Sequence, residues 1–473
     1  MNPPLDPALL DRFATIVGEN NALRDEADIA PYQKEPRGLW PGRAALVLRP
    51  GSTAEVAAIL KLASETGTPV VPQGGNTGLV GGQVPDSSGG QIVVSTGRMN
   101  RIREIDLASN TVTAEAGVIL QQLRDVAAAN DRLFPLSLAS QGTCQIGGNL
   151  SSNAGGTGVL AYGNARELCL GVEVVLPTGE VLDDLRKLKK DNTGYDLKDL
   201  FIGAEGTLGI VTAAVLKLVP RPKGREVAWA GVASPAAALE LFGRALDLCG
   251  SGLTAFELCI DRSVDFSVRH IAGQTHPLAG RHPWYVLAEV SSGRSPEDAR
   301  SLCEQLFANG IERGLVADAV IAQNIAQADA FWKLREAMSD AQRPEGASIK
   351  HDISVPVAAI PDFIEEGRRA VEQVVPGARP VCFGHLGDGN LHFNVSQPVG
   401  VEPAAFLARY RDMNDAVHRV VRAFGGSISA EHGIGQMKRA ELLASEPPVA
   451  IELMRRVKRA FDPAGIMNPG KTI

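Results

Sequence analysis

The stretch Gly384-His385-Leu386-Gly387-Asp388-Gly389-Asn390-Leu391-His392-Phe393-Asn394-Val395 uses two of the chain's 8 histidines. Residues 381–383 and 391–395 are apolar enough to pair as strands. Asp388-Gly389 between them is a favoured two-residue hairpin loop, because both positions must tolerate positive φ. That loop predicts His385 directly opposite His392 on one face, with Cβ atoms roughly 4.5–5.5 Å apart. Two imidazoles at that spacing can share one metal ion. Asn394, two residues beyond His392, faces the same way. The plain alternative is a polar hairpin whose histidines only hydrogen-bond. Ser429-Ala430-Glu431-His432-Gly433-Ile434-Gly435 offers a third ligand, since one glutamate with two histidines is a familiar zinc set, open at a fourth position. Nothing local brings this segment to the hairpin, and an acid–histidine pair is equally at home in a surface turn.

Two cations could grip a carboxylate. Residues 330–340 read as a helix with Arg335 and Ser339 four apart on one face. In the run 348–355, alternation turns Lys350 away from Ile349 and Ile353. Arg335 and Lys350 together would make a two-cation clamp; solvated surface charges are the alternative.

Positioning such groups takes a large scaffold. At 473 residues the chain is long enough for two or three domains. Its 44% hydrophobic and 21% charged residues are an ordinary globular mix, and a net charge of −7 argues against nucleic-acid binding. No apolar run reaches the ~18–20 residues of a membrane span. Six scattered cysteines without a CxxC suggest neither a disulfide framework nor a cysteine-rich zinc site. Together with an N-terminus lacking signal-peptide character, this predicts a reduced, cytoplasmic location.

Along the chain, the apolar run 44–50 precedes a helix start, with Ser52 as N-cap and Glu55 completing a capping box. Val56, Ile59, Leu60 and Ala63 keep helix-face spacing, Gly67 stops the helix, and Val70-Val71 opens the next strand. Three glycine-dense segments follow, at 72–82, 142–156 and 203–211. None is a GxGxxG leading into a helix or a P-loop. Any one of them reads as a flexible loop; three, separated by strand-like runs, suggest loops converging on an extended phosphate-bearing ligand. Two prolines at 220 and 222 mark a boundary, after which strands and helices alternate.

Five segments in order, PQGGNTGLVGG, NTGYDLKDLFIGAEGTLGIVT, GHLGDGNLHFNV, SAEHGIGQMKR and FDPAGIMNPGK, make the chain resemble the FAD-linked oxidases of the vanillyl-alcohol oxidase/PCMH superfamily. The likeness runs from about residue 40 to the C-terminus and is to the branch of D-lactate and D-2-hydroxyglutarate dehydrogenases. Residues 191–197 and 349–352 are most similar to the latter. The resemblance implies an α+β fold in which a two-part PCMH-type FAD-binding domain, not a Rossmann fold, spans 1–221. An α+β substrate (cap) domain follows at 222–424, and a C-terminal helical segment, 425–473, returns to the flavin.

It also implies an FAD site at Pro72, Gly74, Gly75, Asn76, Thr77, Gly78, Gly82, Gly142, Thr143, Gly147, Gly148, Asn149, Ser152, Asn153, Gly155, Glu205, Gly206, Gly209, Ile210 and Asn468. The flavin is expected to be non-covalent, because the first glycine segment offers no histidine. His385, His392 and Glu431 are expected to bind a divalent metal, zinc above all, and His432 to be the catalytic base. Arg335, Ser339, Lys350 and Asn394 fall where the family grips substrate, with serine at 339 in place of the relatives' threonine. The expected activity is oxidation of a D-2-hydroxy acid, D-2-hydroxyglutarate first, with D-lactate or glycolate as the alternative. An electron-transfer flavoprotein or a quinone would take the electrons, and the branch often forms dimers. A metal hydrolase built on the His-His-Glu set alone is the reading from another class.

Overall fold

The computed structural model describes residues 5–473, which divide into two compact units. The first comprises residues up to 156, 163–220 and 432–473; the second comprises 157–162 and 221–431.

The first unit begins as the helix signals require. Strand β1 (Ala44–Leu48) leads to helix α1 (Thr53–Thr66) and strand β2 (Val70–Gln73). Ser52 Oγ accepts the Glu55 amide at 3.2 Å, and Glu55 reaches back to accept the Gly51 amide at 2.8 Å. Gly67 closes the helix at φ 66°, a left-handed position that glycine takes without strain. β1 and β2 lie parallel on either side of β3 (Gln91–Ser95), whose Ile92, Val93 and Val94 are fully buried, as a parallel strand covered on both faces demands. Near the chain end, Val70 N–H donates to Ile466 O, and Asn468 N–H to Val70 O. A five-stranded antiparallel sheet completes the unit, in the order Ile102–Asp106, Thr111–Glu115, Ile210–Lys217, Cys169–Val175, Val181–Asp184.

Lys471 lies inside this unit, 2% exposed, with Nζ donating to Val84 O at 2.8 Å and to Asn468 Oδ1 at 3.0 Å. Burial pushes its ammonium down to about 8 from the ordinary 10.5. Across that window the unfolded chain binds a proton that the folded chain does not, so this group makes stability rise with pH. Lys471→Met should flatten the rise, read from denaturant unfolding at several pH values between 8 and 10.5.

The second unit is one eight-stranded antiparallel sheet with helices on both faces. Its strands include β4 (Leu253–Ile260), β5 (Asp352–Ser354), β6 (Arg379–His385) and β7 (Asn390–Ser396). On one face the helices Pro235–Cys249, Pro296–Glu312, Ile360–Val374 and Tyr410–Ala423 bury Phe256, Val286, Phe363, Phe393 and Val417. On the other, α2 (Ile325–Glu336) packs Phe331 and Trp332 against Trp229, Tyr285 and Phe383.

The hairpin forms with a different register from the predicted one. His385 pairs with Asn390, and His392 with Phe383, so the loop is 386–389 rather than Asp388-Gly389 alone. The longer loop is anchored at both ends: Leu386 is fully buried in the core of this face, and Asn390 donates Nδ2 to Asp352 Oδ1 at 3.0 Å and to Ile353 O at 2.9 Å. Only Gly389 takes positive φ, at 89°. Because the shift is two residues, every side chain keeps its face, and the two imidazoles become diagonal neighbours with ring centroids 6.0 Å apart. The predicted helix 330–340 is corrected too. It ends at Glu336, and Ser339 starts a 3₁₀ turn, Asp340–Glu345, which contains Pro344.

Candidate active site

In the first unit the three glycine-rich segments wall one cleft of about 870 Å³ including its mouth. Lining it are Pro72, Gly74, Gly75, Asn76, Thr77, Gly78 and Gly82; Gly147, Gly148, Asn149 and Ser152; Glu205, Gly206, Gly209 and Ile210; and His432. A Cβ on Gly75 would sit 2.1 Å from Thr143 O, whereas one on Gly148 would meet nothing within 4 Å. Asn149 is 5% exposed, and its Nδ2 is buried without a hydrogen-bond partner. An orphaned buried donor costs about 1–3 kcal/mol, a cost that a polar ligand in the cleft would remove. A wall of bare backbone with one unmet amide suits the phosphates of a dinucleotide such as FAD.

Five residues expected here do not line the cleft. Gly142 and Gly155 are not in its lining, and the Thr143 carbonyl sits where a Cβ on Gly75 would reach. Asn153 turns its Oδ1 to the Arg166 amide at 3.0 Å. Asn468 works from the rear, its Nδ2 donating to Gly82 O at 2.9 Å and Glu205 O at 2.8 Å, which ties the first segment to the third. Gln73, Thr96 and Gln145 line the cleft unpredicted. Thr96 Oγ1 donates to Gln145 Oε1 at 2.9 Å; Gln73 and Gln145 lie inside the first two segments, whose glycines carry the signal, and Thr96 follows β3 with no glycine signature at all. Glu205 also holds the loop after His432: its two oxygens accept the Ile434 and Gly435 amides, each at 2.8 Å.

In the second unit the structure brings His385, His392 and Glu431 together, with potential ligand atoms all within 4.8 Å of one another. His385 Nε2 lies 3.7 Å from Glu431 Oε1, and His392 Nε2 lies 3.8 Å from Oε2. Asp352 of β5 accepts the Glu431 amide and the Asn390 side-chain amide, each at 3.0 Å. Burial first, then Asp352 and Asp388, pushes the Glu431 carboxyl up to about 8, against the pull of His385. Burial works to lower His385, but Glu257 beside it prevails and raises it to about 9. Two nitrogen donors, one oxygen donor and surplus acidic charge at this spacing fit a divalent cation. The next residue in the chain, His432, belongs to the first unit and lines its cleft.

The substrate candidates are also on this sheet and its helices. Arg335, 6% exposed, directs Nε to Glu257 Oε2 at 2.8 Å and stacks over Phe383 at 4.9 Å. Its Nη2 touches the same oxygen at 2.8 Å but is buried without an aligned hydrogen bond. Lys350 Nζ donates to Ser339 O at 3.0 Å and Oγ at 2.9 Å, so these two meet although they share no helix face. Asn394 is buried on the face of His392, its Oδ1 accepting the His351 amide at 3.3 Å. Glu257 and Asp352 escaped sequence reading, although a lone acid within Leu-Thr-Ala-Phe-Glu-Leu-Cys-Ile is itself a signal.

A glycine-walled cleft without a Rossmann fingerprint, beside a second unit built on one antiparallel sheet, is the arrangement expected of an FAD-linked oxidase. The FAD binding domain family matches residues 44–184, and the C-terminal domain of FAD linked oxidases matches 221–472; the chain belongs to this family of oxidoreductases. Among its relatives, the mitochondrial D-2-hydroxyglutarate dehydrogenase of Arabidopsis thaliana is 37% identical over 99% of this chain and 82% of its own. The D-2-hydroxyglutarate dehydrogenase of Xanthomonas citri is 36% identical over 94% and 93%. The fold is that of p-cresol methylhydroxylase, with TM-score 0.77, 17% identity and coverage of 100% of this chain and 98% of that one. The expectation of a cytoplasmic location does not stand. Relatives from Arabidopsis thaliana, Danio rerio and Rattus norvegicus are named as mitochondrial. Among the described residues no helix is long and apolar enough to cross a membrane.

Proposed function

We propose that the protein oxidises D-2-hydroxyglutarate to 2-oxoglutarate, with His432 as the base, His385, His392 and Glu431 as ligands of a divalent cation, and the segment 425–473 completing the site. The reaction removes a hydride equivalent from C2 and a proton from its hydroxyl. When bound, FAD supplies the two-electron acceptor and the cation supplies Lewis acidity. The imidazole of His432 takes the hydroxyl proton, the general-base role that imidazole fills most often among side chains. The peptide bond joining Glu431 to His432 keeps the cation ligand and the proton acceptor next to each other in the chain. FAD is held non-covalently, since residues 72–82 include no histidine. Electrons pass on to an electron-transfer flavoprotein or a quinone, and the protein works as a dimer.

The observation that carries the diacid is the pair of cations in the unit that bears the cluster. Arg335 has a buried nitrogen still unmatched, and Lys350 is held at Ser339. A monocarboxylate would leave one of them without a role. D-lactate or glycolate is the second reading, since a D-lactate dehydrogenase name occurs among the relatives. Steady-state rates with D-2-hydroxyglutarate, D-malate and D-lactate, on wild type and Lys350→Ala, separate the two. Losing a charge-assisted hydrogen bond worth about 1.5–3 kcal/mol should raise KM for D-2-hydroxyglutarate roughly 10- to 100-fold and leave D-lactate alone. D-lactate as the fastest substrate with a harmless Lys350→Ala would sink the diacid reading.

A further inference from the structure

Glu257 stands on β4 directly opposite His385 on β6. Its side chain is 1% exposed, among Ala255, Phe256, Leu258 and Cys259, all buried. A charge in such a strand does little for stability: an ion pair taken out of water is often no better than apolar residues of the same volume. The carboxylate divides its oxygens instead. Oε1 receives His385 Nδ1 at 2.7 Å, and Oε2 receives Arg335 Nε at 2.8 Å. With Nδ1 committed to Glu257, Nε2 is the ring nitrogen turned toward Glu431, 3.7 Å away, and the one that can take a cation. The same group fixes the plane of the guanidinium, which stacks on Phe383 and leaves Nη2 unmatched. One carboxylate thus orients a cation ligand on one side and a carboxylate-gripping cation on the other.

We propose that Glu257 is a positioning residue that sets the affinity of the His385–His392–Glu431 cluster for a divalent cation and, through Arg335, the preference for a substrate with a second carboxylate. This rests on the reading of those residues given under the proposed function. Partners that orient metal-ligating histidines are typically worth 10–100-fold in metal affinity. A glutamine at 257 can still accept from His385 through its carbonyl, but its amide would face Arg335, donor against donor.

The test measures Zn²⁺ dissociation constants of the flavin-loaded protein by competition with a chromophoric chelator, for wild type and Glu257→Gln. It also measures kcat and KM for D-2-hydroxyglutarate and D-lactate at saturating Zn²⁺. Glu257→Gln should bind Zn²⁺ about 10–100-fold more weakly. KM for the diacid should rise, while KM for D-lactate stays within about twofold. Should the unpaired guanidinium prevent folding, Glu257→Gln with Arg335→Met removes it and must still show the weakened Zn²⁺. A folded, flavin-loaded variant that binds Zn²⁺ as tightly as wild type overturns the role of Glu257 alone. A wild type that binds no divalent cation overturns the underlying reading and the proposal with it.

Discussion

His432→Asn should lower kcat by about 10²–10⁴-fold, the span that general-base help contributes, with flavin content and Tm close to wild type. Asparagine keeps a polar side chain of similar reach but cannot accept a proton near neutral pH. The loop around it is not held by the imidazole. Glu205 grips the Ile434 and Gly435 amides, and Gln436 Nε2 donates to Gly81 O at 2.8 Å, so the backbone should stay in place. If His432 is the base, the variant should also lose the acid limb of its pH–rate profile, because that limb reports protonation of the base itself. A variant with near wild-type turnover would assign the proton to another group.

Glu431→Gln should have opposite effects on catalysis and on stability. Catalytically, on the proposed reading of the cluster, it removes the one anionic ligand among His385, His392 and Glu431. Lewis-acid help is worth several kcal/mol, and each 1.36 kcal/mol is tenfold in rate, so turnover should fall by roughly 10³-fold or more. Stability should move the other way in protein stripped by a chelator. There the Glu431 carboxyl, raised to about 8 by burial and by Asp352 and Asp388, binds a proton that the unfolded chain releases near 4.5. Its contribution to stability is therefore lost as pH rises from about 4.5 through 8. Glutamine carries no charge to bury, so stripped Glu431→Gln should melt above stripped wild type at pH 8, and the gap should close toward pH 5. With Zn²⁺ added, the order should reverse, because only wild type gains binding energy. Thermal unfolding at the two pH values, with and without Zn²⁺, reads all four terms.

Much of this molecule was legible in its residues. The β-α-β opening followed from Ser52, Glu55 and Gly67, whose capping and left-handed roles are local. The glycine segments announced a ligand because bare backbone is needed wherever something else must come close, as at Gly75. Legibility failed where distant packing decided. Asp388-Gly389 has every local feature of a two-residue turn, yet the hairpin closes through a longer loop, with Leu386 buried in the core and Asn390 held by Asp352 and Ile353. The histidine pair survived that error only because the shift was even. Glu257 lies 128 positions from His385 in the chain, and no spacing rule connects them. Asn468 also joins two loops, its amide donating to Gly82 O and Glu205 O, a link that no sequence spacing announces.

The most direct measurement is anaerobic mixing of the yellow, flavin-loaded protein with D- and L-2-hydroxy acids, before and after dialysis against a chelator and again after Zn²⁺ is restored. Rapid loss of flavin absorbance with D-2-hydroxyglutarate, absent with its L enantiomer, abolished by the chelator and recovered with Zn²⁺, is the predicted result. Bleaching indifferent to the chelator, or none with any 2-hydroxy acid, would contradict it.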